Sequence, residues 1–504
     1  MHGKMPKASK KRASKTEYQS PKQLVMVGFE TPFSQKLNPT NRWVQLAGQI
    51  PWDNIVNIYT RQLNNHKTGA SNVNGRVIIG SLIIKHLCNL SDEETILQIQ
   101  ENMYMQYFLG YSSFSSEAPF DASLFVEIRK RLGVDQLKSI NEKIYNLYMG
   151  KNEKTDFDDS SEDGEKALNT LSEQVPEEDA KREGRLLVDA TACPQDIQYP
   201  TDLNLLSDSR VKTEELIDCL YKQELHGPVK PRTYREVARK EYLVIAQKRK
   251  KSHRVIHKGI GQQLRFLRRN LKTIEKLLKE YVSLPFSVRQ SAYYETIKTV
   301  YAQQLKMYRS GTHSVEERIV SIHQPHVRPI VRGKDRGSTE FGSKLNLSLV
   351  NGYSFIDHLK WDAYNEGVLL KESILLYYRR HGYWPKEVMA DRIYCNQENR
   401  RLLKEWKIRL LAKPLGRPPA VKLEHISPGE RNPIEGKFGQ AKTRYGMDRI
   451  KARLKGTSES WIASIVLVLN LVKLAGRASY SLVEKWLEMA LQFLGLFQNR
   501  LLIQ

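Results

Sequence analysis

Apolar residues along this chain recur at two different periods, and the change from one to the other divides it. From about Asn41 to Gly150 the spacing is helical: Ile78, Ile79, Leu82, Ile83 and Leu87 repeat in steps of three and four, which marks one buried helical face. Leu90-Ser91-Asp92-Glu93-Glu94 then has the form of a cap opening a second helix. Pro119 to Ser123 leads into Leu124, Phe125, Ile128 and Leu132, interleaved with Arg129, Lys130 and Arg131. The pattern predicts a compact helical bundle with one basic helix. A helix-turn-helix-like DNA reader and a bundle whose charges are simply solvated both fit it.

After about residue 185 the pattern shortens to strand-like runs. Arg185 to Ala190 is a strand ending in an acid, and Lys344 to His358 alternates before Asn351-Gly352 makes a hairpin turn. The strand-rich part resumes at Arg318 to Val331. Glu366 to Arg380 is a helix with Leu369, Leu370, Ile374, Leu375 and Tyr378 as its stripe, Val388 to Ala390 is another strand, and Lys407 to Ala412 one more. This order predicts an α/β core with a mixed sheet. Between its first two parts lies a helical stretch from about Ser209 to Glu317, in which Leu264, Leu267, Leu271, Ile274, Leu278 and Tyr281 form a short seam that packs on a neighbouring helix. Ile465 to Leu474 reads as a buried helix too short to span a bilayer.

Charge adds the partner. The formal net charge is +24 with a pI near 9.6, far beyond what solubility requires, so a polyanion is expected; nucleic acid is favoured over an anionic membrane surface. The surplus is uneven: residues 1–22 carry seven Lys or Arg against Glu17, and Lys230 to Glu280 carries seventeen against four acids. Residues 151–184 reverse the sign, with twelve Asp or Glu against five Lys or Arg. The expected organisation is a disordered basic arm (1–24), a helical DNA-binding domain (25–150), an acidic linker (151–184) and a catalytic core (185–208 and 318–480). A basic helical insertion (209–317) interrupts the core, and a helix (481–504) follows it. Arg265, Arg268, Arg269 and Lys272 flank the seam, placed for solvent or phosphate. Cys88, Cys193, Cys219 and Cys395 are scattered, without zinc or disulfide spacing. The basic, polar first residues give no sign of a leader peptide.

Three acids carry the candidate chemistry. Asp189 and Asp391 each close a short apolar run, and Glu435 falls three residues after Asn432 with Pro433 between, an arrangement that also serves as a helix cap. Each alone is ordinary turn or cap chemistry. Together they are the oxygen donors that a two-metal phosphodiester-cutting site needs, since phosphoryl chemistry depends on positioning and charge neutralisation. Bare carboxylates gathered within about 5 Å would repel by roughly 3 kcal/mol per pair at an effective dielectric of 20, a penalty that Mg²⁺ or Mn²⁺ reverses. Glu435, Gly439 and Lys442 share a helical face, and Arg431 stands just before it. Asp196 and Asp202 read as turn residues or outer ligands, His323 and His326 as structural, and Asp357 and Asp362 as runner-up second carboxylates.

The run Arg431, Glu435, Lys442 resembles the signature around the catalytic glutamate of bacterial insertion-sequence DDE transposases of the IS-four/IS-five superfamily. Val188-Asp189-Ala190-Thr191 through Ile197 and Tyr199-Pro200-Thr201-Asp202 is similar to that group's first-aspartate segment, and Ala390-Asp391-Arg392 with Tyr394 and Asn396 to its second. Weaker similarity covers Pro119 to Gly133 and His323-Gln324-Pro325 to Glu340-Phe341-Gly342. The tyrosine often found three residues before the signature arginine is absent, Pro428 standing there.

The resemblance implies an α/β ribonuclease-H-like core, a mixed sheet with flanking helices, interrupted by a helical insertion and preceded by an all-α domain. It implies that Asp189, Asp391 and Glu435 hold two Mg²⁺ ions, with Mn²⁺ able to substitute, and that Arg431 and Lys442 contact DNA. Arg129, Lys130, Arg131, Arg265, Arg268 and Arg269 are further candidate DNA contacts. The function implied is cutting of transposon ends and joining of their 3′-hydroxyls to target DNA, by a homodimer or higher oligomer in the bacterial cytoplasm, nucleoid-associated and with no membrane partner. A structure-specific DNA nuclease on the same core, or a DNA-binding protein without catalysis, are the alternatives.

Overall fold

The computed structural model describes residues 36–61, 72–149, 176–331, 339–362, 364–412 and 432–476. The basic arm, most of the acidic linker, Pro428, Arg431 and the helix expected over 481–504 lie outside them.

The N-terminal stretch is helical as its periodicity requires. Helices α1 (Arg42–Gln49), α2 (Trp52–Arg61), α3 (Gly75–Cys88), α4 (Asp92–Glu101), α5 (Met103–Leu109), α6 (Leu124–Arg131) and α7 (Val134–Tyr148) follow in order. Polar caps set several starts: the side chains of Asn41, Asn74, Ser91 and Asn102 each accept from a backbone N–H in the first turn that follows. Ser91 takes that place as the sequence predicts.

Strand β1 (Arg185–Pro194) opens the sheet, and the chain then leaves it for four long helices, α8 (Asp202–Leu220), α9 (Arg235–Ala246), α10 (His253–Leu278) and α11 (Val288–Ser310). The insertion begins at Asp202, earlier than expected, because Thr201 caps α8 by accepting from the Asn204 N–H. Its seam is intramolecular. Leu264, Leu267, Leu271 and Ile274 bury against Leu206, Leu216 and Ile217 of α8 and Ile297 and Val300 of α11. Leu277 takes the buried place expected of Leu278, and Tyr281, beyond the helix end, donates its hydroxyl to the Leu220 carbonyl at 2.6 Å.

The chain returns through β2 (Arg328–Val331), β3 (Thr339–Val350), β4 (Tyr353–Lys360), α12 (Leu370–His381), β5 (Glu387–Ala390), α13 (Gln397–Glu405) and β6 (Arg409–Leu411). Residues 318–327, expected to begin a strand, are irregular; the strand starts at Arg328. The sheet runs β2-β3-β1-β5-β6, with β4 also on β3. β1 is antiparallel to β3 and parallel to β5, so the sheet is mixed. Asn351 and Gly352 join β3 to β4 with positive φ values of 51° and 77°, the left-handed backbone that a tight hairpin demands.

Both faces of the sheet are covered. Leu186, Val188, Val388 and Ala390 pack with Leu370, Ile374 and Tyr377 on one side. On the other, Cys193, Leu345, Leu347 and Leu349 join a cluster with α14 (Asn432–Tyr445), α15 (Lys455–Gly476) and the N-terminal helices. Ile465 to Leu474 thus belongs to a longer helix than expected. By length and composition alone α15 is long enough to cross a membrane, yet Ile462, Ile465, Val466, Leu467, Val468, Leu469 and Leu471 are buried within the protein. Its Asn470 ties three elements together, accepting from the Ser354 N–H at 2.7 Å and donating to Asn141 Oδ1 at 2.7 Å.

Candidate active site

Strand pairing brings the two aspartates together. β1 and β5 lie parallel in the register Leu186↔Val388, Leu187↔Met389, Val188↔Ala390, so the next position on each chain is Asp189 and Asp391. Adjacent strands are about 4.8 Å apart, which puts two residues remote in sequence at neighbouring sites. Val188 and Ala390 point into one core, and strand alternation turns Asp189 to the opposite face. Both acids are half-buried. Asp189 Oδ1 accepts from the Ala190 N–H at 2.9 Å, and Asp391, where β5 ends, accepts from the Arg392 N–H at 2.7 Å to cap a single turn over Arg392–Tyr394.

Helix α14 packs on the face to which Asp189 turns. Ile434, Phe438, Ala441 and Tyr445, at helical spacing, bury into the cluster shared with Leu345 and Leu347, leaving Glu435 exposed on the first turn. Among the described residues, a Cβ added at Gly436 or Gly439 would meet nothing within 4 Å. Lys442 is half-buried near Cys193 of β1. Burial pushes that thiol up to about 12, with Lys442 pulling it down and Glu340 pushing it up. Asp189 and Asp391 are therefore side by side with α14 above them. Among the described residues, no group of three His, Cys, Asp or Glu side chains stands close enough to hold a metal ion.

The remaining acids and histidines take structural partners. Asp202 accepts from Gln304 and Arg318, each at 2.7 Å, holding the point where the insertion leaves and rejoins the sheet. Asp196 pairs with Arg449 at 2.9 Å, and the exposed Asp362 with Arg328 at 3.2 Å. Asp357 is buried on β4 and accepts from the Ser348 hydroxyl at 2.8 Å. His323 bonds the Tyr293 hydroxyl at 2.9 Å, and His326 lies edge-on to Trp361, its pKa lowered to about 4 by burial and the nearby Lys455 and Arg328.

The basic candidates divide. Arg129 is corrected: it is 5% exposed and grips both oxygens of Asp92 at 2.9 and 2.8 Å, so it has no surface to offer DNA. Helix α6 turns Phe125, Ile128 and Arg129 inward together, which the run of basic residues concealed. Lys130 is exposed beside Glu127, and Arg131 is half-buried with its guanidinium 3.4 Å from the Tyr59 hydroxyl. Arg265, Arg268 and Arg269 are exposed on α10, Arg269 lying 4.4 Å from the centre of the Tyr234 ring.

A buried polar pair, Tyr394 and Asn346, lies under the aspartates. The Tyr394 hydroxyl donates to Asn346 Oδ1 at 3.0 Å, both residues fully buried, and Lys344 pairs with Glu366 at 2.7 Å nearby. Burial raises the Tyr394 pKa well above the ordinary phenol value, and the charges of Glu366 and Asp189 push the same way. Its signal in the sequence was that Tyr394 stands three residues after Asp391, within the segment similar to the second-aspartate region.

Two stretches match known families. Residues 388–472 match the family described as "Transposase DDE domain", a span that runs from β5 through Asp391, Glu435 and Lys442 into α15. Residues 31–131 match "Transposase domain (DUF772)", which takes in α1 to α6. Asp189 and the insertion lie outside both spans. A relative in Rhizobium meliloti, named "Uncharacterized protein ORF8 in nfe locus", is 36% identical over 107 residues, covering 21% of this chain and 49% of that protein. The chain thus spans about half the length of that relative. No solved structure matches. The mixed sheet with flanking helices behind a helical N-terminal region is compatible with a DDE transposase core.

Proposed function

We propose that this chain is a DNA transposase that binds transposon ends, cuts them and joins the 3′-hydroxyls to target DNA. The observation carrying this reading is the parallel pairing of β1 with β5, which sets Asp189, midway along β1, beside Asp391, just past the end of β5 and inside the transposase DDE match. A ribonuclease-H-like core of the IS-four/IS-five type is part of the same reading, supported by the mixed sheet and by the acid-bearing helix packed on the face of Asp189.

The donor chemistry fits hard divalent cations. Asp189, Asp391 and Glu435 are all carboxylates, the ligand type that Mg²⁺ and Mn²⁺ prefer, with Glu435 exposed on the first turn of α14. They are the residues that would hold two such ions, which when bound supply charge neutralisation and an activated oxygen for in-line displacement. Asp189 and Asp391 hold fixed orientations through their own backbone bonds, so their free energy of alignment is met before DNA arrives. Lys442, and Arg431 before the helix, are placed in sequence to take the phosphates beside the cut, and Arg265, Arg268 and Arg269 to track duplex backbone further out.

The test is purified full-length protein with linear duplex carrying the DNA that flanks its gene, in Mg²⁺ or Mn²⁺, with nicked and joined strands resolved on sequencing gels. Asp189→Asn, Asp391→Asn and Glu435→Gln each abolish cleavage while leaving DNA retention near wild type. Unchanged cleavage in one variant removes that residue from the site. Cutting without joining favours the nuclease reading, and binding without either favours a non-catalytic protein.

A further inference from the structure

We infer that Tyr394 is a positioning residue, which through Asn346 fixes the turn carrying Asp391 beside the strand carrying Asp189; this rests on the transposase reading of those acids. Three observations meet at that pair. The turn after β5 closes on itself, Asp391 capping it and the Tyr394 N–H donating to the Asp391 carbonyl at 3.0 Å. The Tyr394 ring then runs into the core, fully buried, and its hydroxyl donates to Asn346 Oδ1 at 3.0 Å. Asn346 in turn sits on β3 directly across from Ala190, the neighbour of Asp189.

One hydrogen bond therefore ties the backbone of the second acid to the strand that flanks the first. The geometry exceeds what packing needs. Asn346 is paired on both sides, with Ala190 of β1 and His358 of β4, so its backbone is held in the sheet. Asn346 is itself held by an Nδ2 contact to the Ser373 hydroxyl at 3.5 Å. The far side of the turn is fixed by Asn399, whose Nδ2 donates to the Tyr394 carbonyl at 2.9 Å and the Gly367 carbonyl at 2.6 Å. A phenylalanine would fill the same space without the bond to β3.

Supporting groups behind ligating carboxylates commonly control metal affinity or activity by about 10–100-fold. The experiment compares wild type, Tyr394→Phe, Tyr394→Ala, Asn346→Ala and the Phe/Ala double variant in Mn²⁺ titrations of DNA cleavage, with DNA affinity and thermal midpoint measured alongside. Tyr394→Phe is expected to raise the Mn²⁺ needed for half-maximal rate about tenfold, with DNA affinity unchanged. The double variant should be no worse than Asn346→Ala, since both remove the same bond. Full rescue by Tyr394→Phe of what Tyr394→Ala loses would make the residue a packing group and overturn the inference. If the wild type binds no Mn²⁺ and cuts nothing, the transposase reading falls; a wild type that cuts, with Tyr394→Phe indistinguishable from it, sinks the positioning role alone.

Discussion

Asp92→Asn tests most directly whether Arg129 is a buried ion-pair partner rather than a DNA contact. Asp92 stands between two buried cations: Lys85, 1% exposed, lies 2.9 Å from Oδ1, and Arg129, 5% exposed, grips Oδ1 and Oδ2 at 2.9 and 2.8 Å. Burial raises the Asp92 pKa, but the hydrogen bonds from Arg129 and the charges of Lys85 and Arg129 outweigh it and hold the carboxyl below its usual range. Asparagine keeps the shape and removes the charge, leaving two cations packed together. Breaking a buried pair from one side costs about 3–5 kcal/mol. Three features favour the lower end. Lys85 also donates to the Leu90 carbonyl at 2.8 Å and lies 4.7 Å from the Trp461 ring, and its pKa is already lowered, chiefly by burial, so it sheds its proton more readily once Asp92 is gone.

A loss of about 3 kcal/mol is a factor of about a hundred in the folding equilibrium. Urea unfolding followed by tryptophan fluorescence reads it, because Trp43, Trp52 and Trp461 share the same core cluster. The sign with pH follows from the depressed folded-state pKa: the contribution is present above the ordinary carboxylate range and is lost as pH falls through the lower folded value. Asp92→Asn should lack that acid limb. A variant within about 1 kcal/mol of wild type at neutral pH refutes the argument. So does Arg129→Ala that unfolds at the wild-type midpoint but lowers the salt dependence of DNA binding, which would restore Arg129 to the DNA surface.

Asp357 gives a pH effect of opposite sign. Burial lifts its pKa to about 6 against the pull of Arg380 and the Ser373 and Ser348 hydroxyls, so stability declines as pH rises from the ordinary carboxylate range to about 6. Asp357→Asn should flatten that limb in urea midpoints taken from pH 4.5 to 7.5, chosen to span about one unit or more either side; a wild type already flat over that window contradicts the placement. Replacing Arg265, Arg268 and Arg269 together with alanine should lower the log–log salt slope of duplex binding by about 0.9 for each phosphate given up. An unchanged slope takes α10 off the DNA surface.

The chain's own pattern was sufficient for the local elements. Ser91 opens α4, Asn351-Gly352 turns the hairpin, and the seam of α10 packs inside the chain, because caps, turn residues and apolar periodicity act over a few positions and are written in consecutive residues. The apolar run before Asp391 likewise marked a strand end, but Asp189, expected to close its strand, lies mid-strand, because β1 continues to Pro194 in register with β3.

What neighbours what was decided elsewhere. The two aspartates are side by side because β1 and β5 pair in parallel, a register set by Leu186, Val188, Val388 and Ala390 finding one common core. Arg129 looked like surface charge in a basic run, yet α6 turns it inward onto an acid 37 positions away. Tyr394 reaches Asn346 across 48 positions. Such contacts depend on which faces are buried together, and burial is settled only when the whole sheet and its covering helices assemble.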